Sequence, residues 1–172
     1  VSTSQDKCYH PQNYDNVFKG PISLRNALGG SRNVPAVQLL YLVGINDTIN
    51  TARQMGISSL TDPERYGLTL VLGGGEVSLL EMTSAYATFA NDGKYIKPTG
   101  ILTIKDSKGS ILEEYSPREI QAIPENSARL ISDILSDNNA RLSLFGVNNF
   151  INFGSQYDVA VKTGTTDKNV DA

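Results

Sequence analysis

Histidine and cysteine are nearly missing from this sequence: one of each occurs, His10 and Cys8. A lone cysteine makes no internal disulfide, so the usual inference about redox compartment is silent. Cys8 reads as a small packing residue. A Ser-His-Asp triad would have to run through His10, and a zinc site would lack nitrogen ligands. Counting alone sets both aside. No apolar run approaches the roughly 20 residues that span a bilayer, and no secretory signal pattern opens the chain. That absence says little if the chain is a piece of a longer one. Charge of one sign is also scarce. The formal net charge is -3, with charged residues at 19%, leaving neither a basic stripe nor an acidic tail. Nucleic acid is therefore not an expected partner, nor is direct membrane contact by this segment. What is present is 172 residues, 40% of them hydrophobic, enough for one domain with a substantial core.

Local patterns divide the chain into mostly helical stretches. Residues 1–20 are polar and turn-rich. Leu24, Ala27 and Leu28 share one helical face behind Ser23 as N-cap, and Gly29-Gly30 stops the helix. Pro35 suits the first turn of a second helix, closed by Gly44. A third is expected over 47–55, capped by Asn46 and ended by Gly56. Residues 56–77 hold few helix signals. Ser78 and Glu81 then form a capping-box pair, opening a helix with Leu79, Met82, Ala85, Tyr86 and Phe89 on its apolar face. Residues 101–104 and 111–115 flank Asp106–Gly109 as a β-hairpin. A further amphipathic helix covers 127–135, and the alternation of 157–163 predicts a strand. The sum is an α+β arrangement, a helical layer against an antiparallel sheet.

Two short motifs bear on chemistry. Lys162-Thr163-Gly164-Thr165-Thr166 ends the expected strand with an ammonium, three hydroxyls and a glycine. Such an edge suits an anion, since glycine lets a ligand backbone approach closely. A phosphate loop would need glycine immediately before the lysine; Val161 stands there. Ser31-Arg32-Asn33 occupies a loop between two helices, where its serine and asparagine are able to bond a lysine and a substrate amide. Alone, either motif is weak, since Ser and Asn are ordinary cap residues. Together they are the S-x-N and K-T-G elements of one active-site set whose third member is S-x-x-K. They stand in the family's order, at positions 31 and 162.

The flanks are more specific. YHPQNYDNVFKGPISLRNALGGSRNVPAVQLLYLVG (9–44), LGGGEVSLLEMTSAYATFANDG (72–93), ISDILSDNNAR (131–141) and VAVKTGTTDKNVDA (159–172) occur in order. They resemble the transpeptidase domain of class A penicillin-binding proteins, across nearly the whole chain. The resemblance implies a penicillin-binding transpeptidase or serine β-lactamase-like fold. Residues 1–172 are expected to be a partial domain, lacking the S-x-x-K region upstream and strands downstream. It also implies the chemistry. A serine is acylated by the D-Ala-D-Ala end of a peptidoglycan stem peptide and passes the acyl group to a neighbouring amine or to water. β-Lactams acylate the same serine, and no cofactor or metal is implied. Carried over by motif, Ser31 relays protons, and Asn33 bonds the substrate amide and helps orient the motif lysine. Lys162 presents positive charge to the substrate carboxylate. Thr163 and Thr165 present hydroxyls there, the Thr165 N–H is half of the oxyanion hole, and Gly164 provides clearance. A glycosyltransferase domain in the same polypeptide, and a place at the outer face of the cytoplasmic membrane, are implied too.

The departure from the pattern is the nucleophile. Ser4-Gln5-Asp6-Lys7 satisfies S-x-x-K literally but lies in a polar stretch, only 27 residues before Ser31. The family motif opens a buried helix, in which a desolvated lysine acts as base. Ser4 and Lys7 are read as coincidence, and the chain alone is expected to be inactive and poorly stable. A β-lactam sensor or a degenerate, non-catalytic homologue are the competing readings. A serine β-lactamase would need a deacylating carboxylate, of which nothing is evident. An upstream glycosyltransferase domain and membrane anchor would favour the synthase.

Overall fold

Ser23 starts the first helix as its sequence position suggests, its Oγ accepting from the Asn26 N–H at 3.2 Å. The computed structural model describes residues 9–154 and 157–164; Ser4, Lys7, Cys8 and Thr165 lie outside them. Helix α1 is Leu24–Gly29. Helix α2, Asn33–Val43, carries Pro35 in its first turn, and Gly44 at φ 90° closes it. Helix α3, Ile45–Gln54, begins immediately, so Gly44 is its cap and Asn46 lies inside it. A glycine with positive φ redirects the chain in one residue, which leaves no room for the expected linker.

The stretch 56–77 is more helical than its composition suggests. Asp62 accepts from the Arg65 N–H at 3.3 Å, and Pro63 takes the first position of the one-turn helix α4, Pro63–Tyr66. A 3-10 segment, Gly67–Leu72, follows. Helix α5 is Leu79–Ala90, with Ser78 Oγ accepting from the Glu81 N–H at 3.2 Å. The reciprocal half of the capping box is not made. The Glu81 carboxylate instead accepts from Ser58 N–H at 2.9 Å and Ser58 Oγ at 2.6 Å. These donors hold its pKa down at about 2, the hydroxyl contributing most. The buried face of α5 is also rotated from the expected one. Ser84, Ala85 and Thr88 are buried, while Leu79 is 83% exposed. Small residues let α5 pack closely, and Thr88 satisfies its hydroxyl on the Ser84 carbonyl at 3.2 Å.

Two small antiparallel sheets follow. Strands β1 (Lys94–Ile96) and β4 (Glu119–Gln121) pair with each other, and β1 packs on α5. Strands β2 (Thr103–Lys105) and β3 (Ile111–Glu114) form the expected hairpin, with Asp106 Oδ1 accepting from the Lys108 and Ser110 N–H groups at 2.8 Å. Helix α6, Glu125–Ser136, packs on α5 and on α1. Helix α7, Asn138–Phe145, packs on α1; Asp137 caps it, accepting from Asn139 and Ala140 N–H groups. The core gathers Ile49, Met55, Ile57, Leu60, Tyr66, Ala85 and Ala122. The predicted strand over 157–163 is not formed: 157–164 belong to no sheet among the described residues. A strand needs a ladder partner. Here one backbone bond, from the Val161 N–H to the Leu135 carbonyl at 2.9 Å, fixes the segment to the end of α6.

Candidate active site

Ser31 sits at the turn between α1 and α2, with φ at 49°, a left-handed conformation uncommon for a residue with a side chain. Its neighbours secure it. The Ser31 N–H donates to Leu28 O at 3.1 Å and the Arg32 N–H to Ala27 O at 2.9 Å. The Arg32 side chain, 5% exposed, turns inward and donates through Nη1 to both Asp15 oxygens at 2.6 Å. A buried cation demands such a partner. Asp15 also accepts from the Val17 N–H at 3.0 Å; the guanidinium, and then this N–H, hold its carboxyl below the ordinary value. Buried Asn13 works alongside. It accepts from the Val34 N–H in the first turn of α2 at 3.2 Å and donates to Val17 O at 2.9 Å.

Onto this turn comes Lys162. Its Nζ lies 2.7 Å from Ser31 Oγ, across 131 positions of sequence, and 2.7 Å from the Thr163 carbonyl. Half-burial pushes its pKa below the ordinary lysine value. Thr163 is half-buried and Gly164 exposed, with nothing within 4 Å of where a Cβ would stand. The structure thus joins Ser31 and Lys162. Asn33 is placed differently: its side-chain amide donates to the Gln12 carbonyl at 2.9 Å, fastening the segment before Asn13 to α2. Among the described residues, no three His, Cys, Asp or Glu side chains gather to hold a metal. Nor is any described helix long and apolar enough to cross a membrane.

The pairing of S-x-N with K-T-G in space is matched by the chain's relationships. The family model for the penicillin-binding protein transpeptidase domain matches residues 2–172. The chain belongs to this family. Among the relatives, penicillin-binding protein 1A of Aquifex aeolicus is 35% identical over 98% of the chain. Penicillin-binding protein 1A of Rickettsia bellii is 30% identical over 95%. The chain spans about a fifth of these curated relatives, 22% of each. Among solved structures, penicillin-binding protein 1A from Haemophilus influenzae superposes with a TM-score of 0.68 at 25% identity. It covers 79% of this chain and 24% of its own. The imipenem acyl-enzyme of penicillin-binding protein A from M. tuberculosis reaches a TM-score of 0.73 over 95% of this chain and 41% of its own; at 21% identity it shows the fold alone. The α+β class is therefore that of a penicillin-binding transpeptidase, with small, incomplete sheets.

The Asp15–Arg32 pair was missed in sequence. The signal was present, since an arginine between two polar motif residues has to be either solvated or paired, but its partner lies 17 residues away in another loop.

Proposed function

We propose that this chain forms part of a serine D-Ala-D-Ala transpeptidase that cross-links peptidoglycan stem peptides, with penicillins acylating the same serine. The 2.7 Å contact between Lys162 Nζ and Ser31 Oγ carries the reading. It sets a charged amine against a hydroxyl, in a half-buried position beside an open glycine edge. The acylated serine lies in sequence upstream of Val1 in a longer polypeptide, which also carries a glycosyltransferase domain and a membrane anchor at the outer face of the cytoplasmic membrane. The 22% share of the relatives' length supports this arrangement.

In the reaction, the serine oxygen bonds to the carbonyl carbon of the penultimate D-Ala, and the bond to the terminal D-Ala nitrogen breaks. The attacking serine's proton passes to the lysine of the S-x-x-K motif, and Ser31 Oγ relays it from there to that leaving nitrogen. Lys162, as the donor to Ser31 Oγ, keeps the hydroxyl's own proton free for this step and attracts the terminal carboxylate. Thr163 and Gly164 form the edge on which the substrate lies, and the family resemblance assigns the backbone N–H of Thr165, outside the described residues, to the oxyanion hole. Asn33 bonds a substrate amide through the donor and the amide oxygen that its bond to Gln12 O leaves over. The incoming amine, or water in the carboxypeptidase side reaction, then attacks the ester carbonyl, the bond to the serine oxygen breaks, and the proton lost by the attacking group returns to that oxygen.

Fluorescent penicillin tests this on the full-length protein. The wild type should label covalently, the Lys162→Ala protein on the order of 10²-fold more slowly, and the Ser4→Ala protein like wild type. A folded full-length protein that takes no label would overturn the reading. Loss of label in Ser4→Ala would move the nucleophile to Ser4.

A further inference from the structure

Arg141 is 2% exposed, and the chemistry above makes no use of it. Its guanidinium donates to two main-chain carbonyls: Leu135 O at the end of α6, and Ile151 O at 3.1 Å. Leu135 O is the same atom that accepts from the Val161 N–H at 2.9 Å. Val161 directly precedes Lys162. The carbonyl that carries the lysine segment is therefore itself held by Arg141.

The residue before Arg141 holds the other half of the site. A Cβ on Gly29 would come within 2.7 Å of Ala140 Cβ and 3.1 Å of its carbonyl oxygen, so α1 and α7 touch backbone to backbone here. Gly29 is two residues before Ser31. Arg25 adds a lateral tie, pairing with Asp133 of α6 and, at 3.1 Å, with Asp137 at the cap of α7. Ala140 and Arg141, adjacent on α7, thus fix Ser31 and Lys162 respectively.

We infer that Arg141 is a positioning residue for transpeptidation, acting through the Leu135 carbonyl to set the Lys162–Ser31 contact. This rests on the function proposed above. A guanidinium suits the task because its planar fork reaches two carbonyls at once in a fixed geometry, which a point donor does not. Reaction rates are sensitive to such placement: a displacement of about 1 Å costs on the order of 10²-fold.

The test measures acylation of the full-length protein by fluorescent penicillin, separating the first-order acylation constant from the non-covalent binding constant. Arg141→Met should lower the acylation constant by roughly tenfold or more, with binding changed less than about threefold. Arg141→Lys should fall between it and wild type. A purely structural role would instead lower the labelled fraction, leaving the rate of the folded fraction intact. Wild-type acylation by the folded Arg141→Met protein, or a loss confined to labelled fraction, would overturn the inference. If Arg141→Met does not fold, Arg141→Gln, which keeps one donor, takes its place with the same expected slowing and the same overturning result. A wild-type protein that takes no label overturns both this inference and the function. A labelled wild type beside full-rate variants overturns this one alone.

Discussion

At the scale of single residues, the site depends on charges that are turned inward. Arg32 lies between the two motif residues, yet its side chain faces away from the reaction, toward Asp15. Asp15's carboxyl is held below its ordinary value of 3.8, so the folded state favours the charged form. The stabilisation is then complete above that value and is lost as pH falls below it. Asp15→Asn should lower the melting temperature at neutral pH and flatten its fall on the acid side. Equal melting curves for both proteins at pH 7 would show that the pair contributes nothing. Sequence reading singled out Ser31, Asn33 and Lys162 because they belong to short motifs, and the structure brings Ser31 and Lys162 together. It found no role for Arg141 and passed over Asp15. Both act on groups that only folding brings near: the first on main-chain carbonyls, which have no sequence signature, the second on an arginine from another loop. Asn33 was legible as a residue and not as a contact, since its bond to Gln12 O depends on how residues 9–13 lie along α2.

Among the elements, those with caps were the easiest to read. Ser23, Gly44, Ser78 and the Asp106–Gly109 turn each have a local mechanism, and helices α1, α2 and α5 and the hairpin followed. Asp62-Pro63 has an equally local mechanism, an N-cap before a first-turn proline, but its helix is only four residues long and leaves no periodicity. The rotated face of α5 and the unformed strand at 157–163 have another cause. Tertiary neighbours decide which face is buried and whether an extended segment finds a ladder. Contact between elements also governs the position of Ser31. Gly29 has ordinary backbone angles, so the space beside Ala140 is what excludes a side chain. Gly29→Ala in the full-length protein should cost about 1–3 kcal/mol by overpacking, measured by denaturant unfolding, with partial recovery on adding Ala140→Gly. An unchanged midpoint would show that α1 and α7 separate freely.

For the whole molecule, surface area is the informative quantity. Leu42, at 79%, and Leu79 are among many large apolar side chains facing outward. The 172-residue chain on its own should therefore bind a hydrophobic dye such as ANS and melt over a broad range. A sharp, dye-free transition at high temperature would contradict this. The distance in sequence between the two halves of the site bears on synthesis. Ser31 precedes Lys162 by 131 residues, so at 5–20 residues per second a ribosome needs roughly 7 to 26 seconds to deliver the second after the first. The serine turn can be finished early, held by Asp15 and Asn13 from its own side of the chain. The contact between Lys162 and Ser31 arrives late and all at once, and a polypeptide stalled anywhere in that interval carries a serine turn that has no lysine to meet.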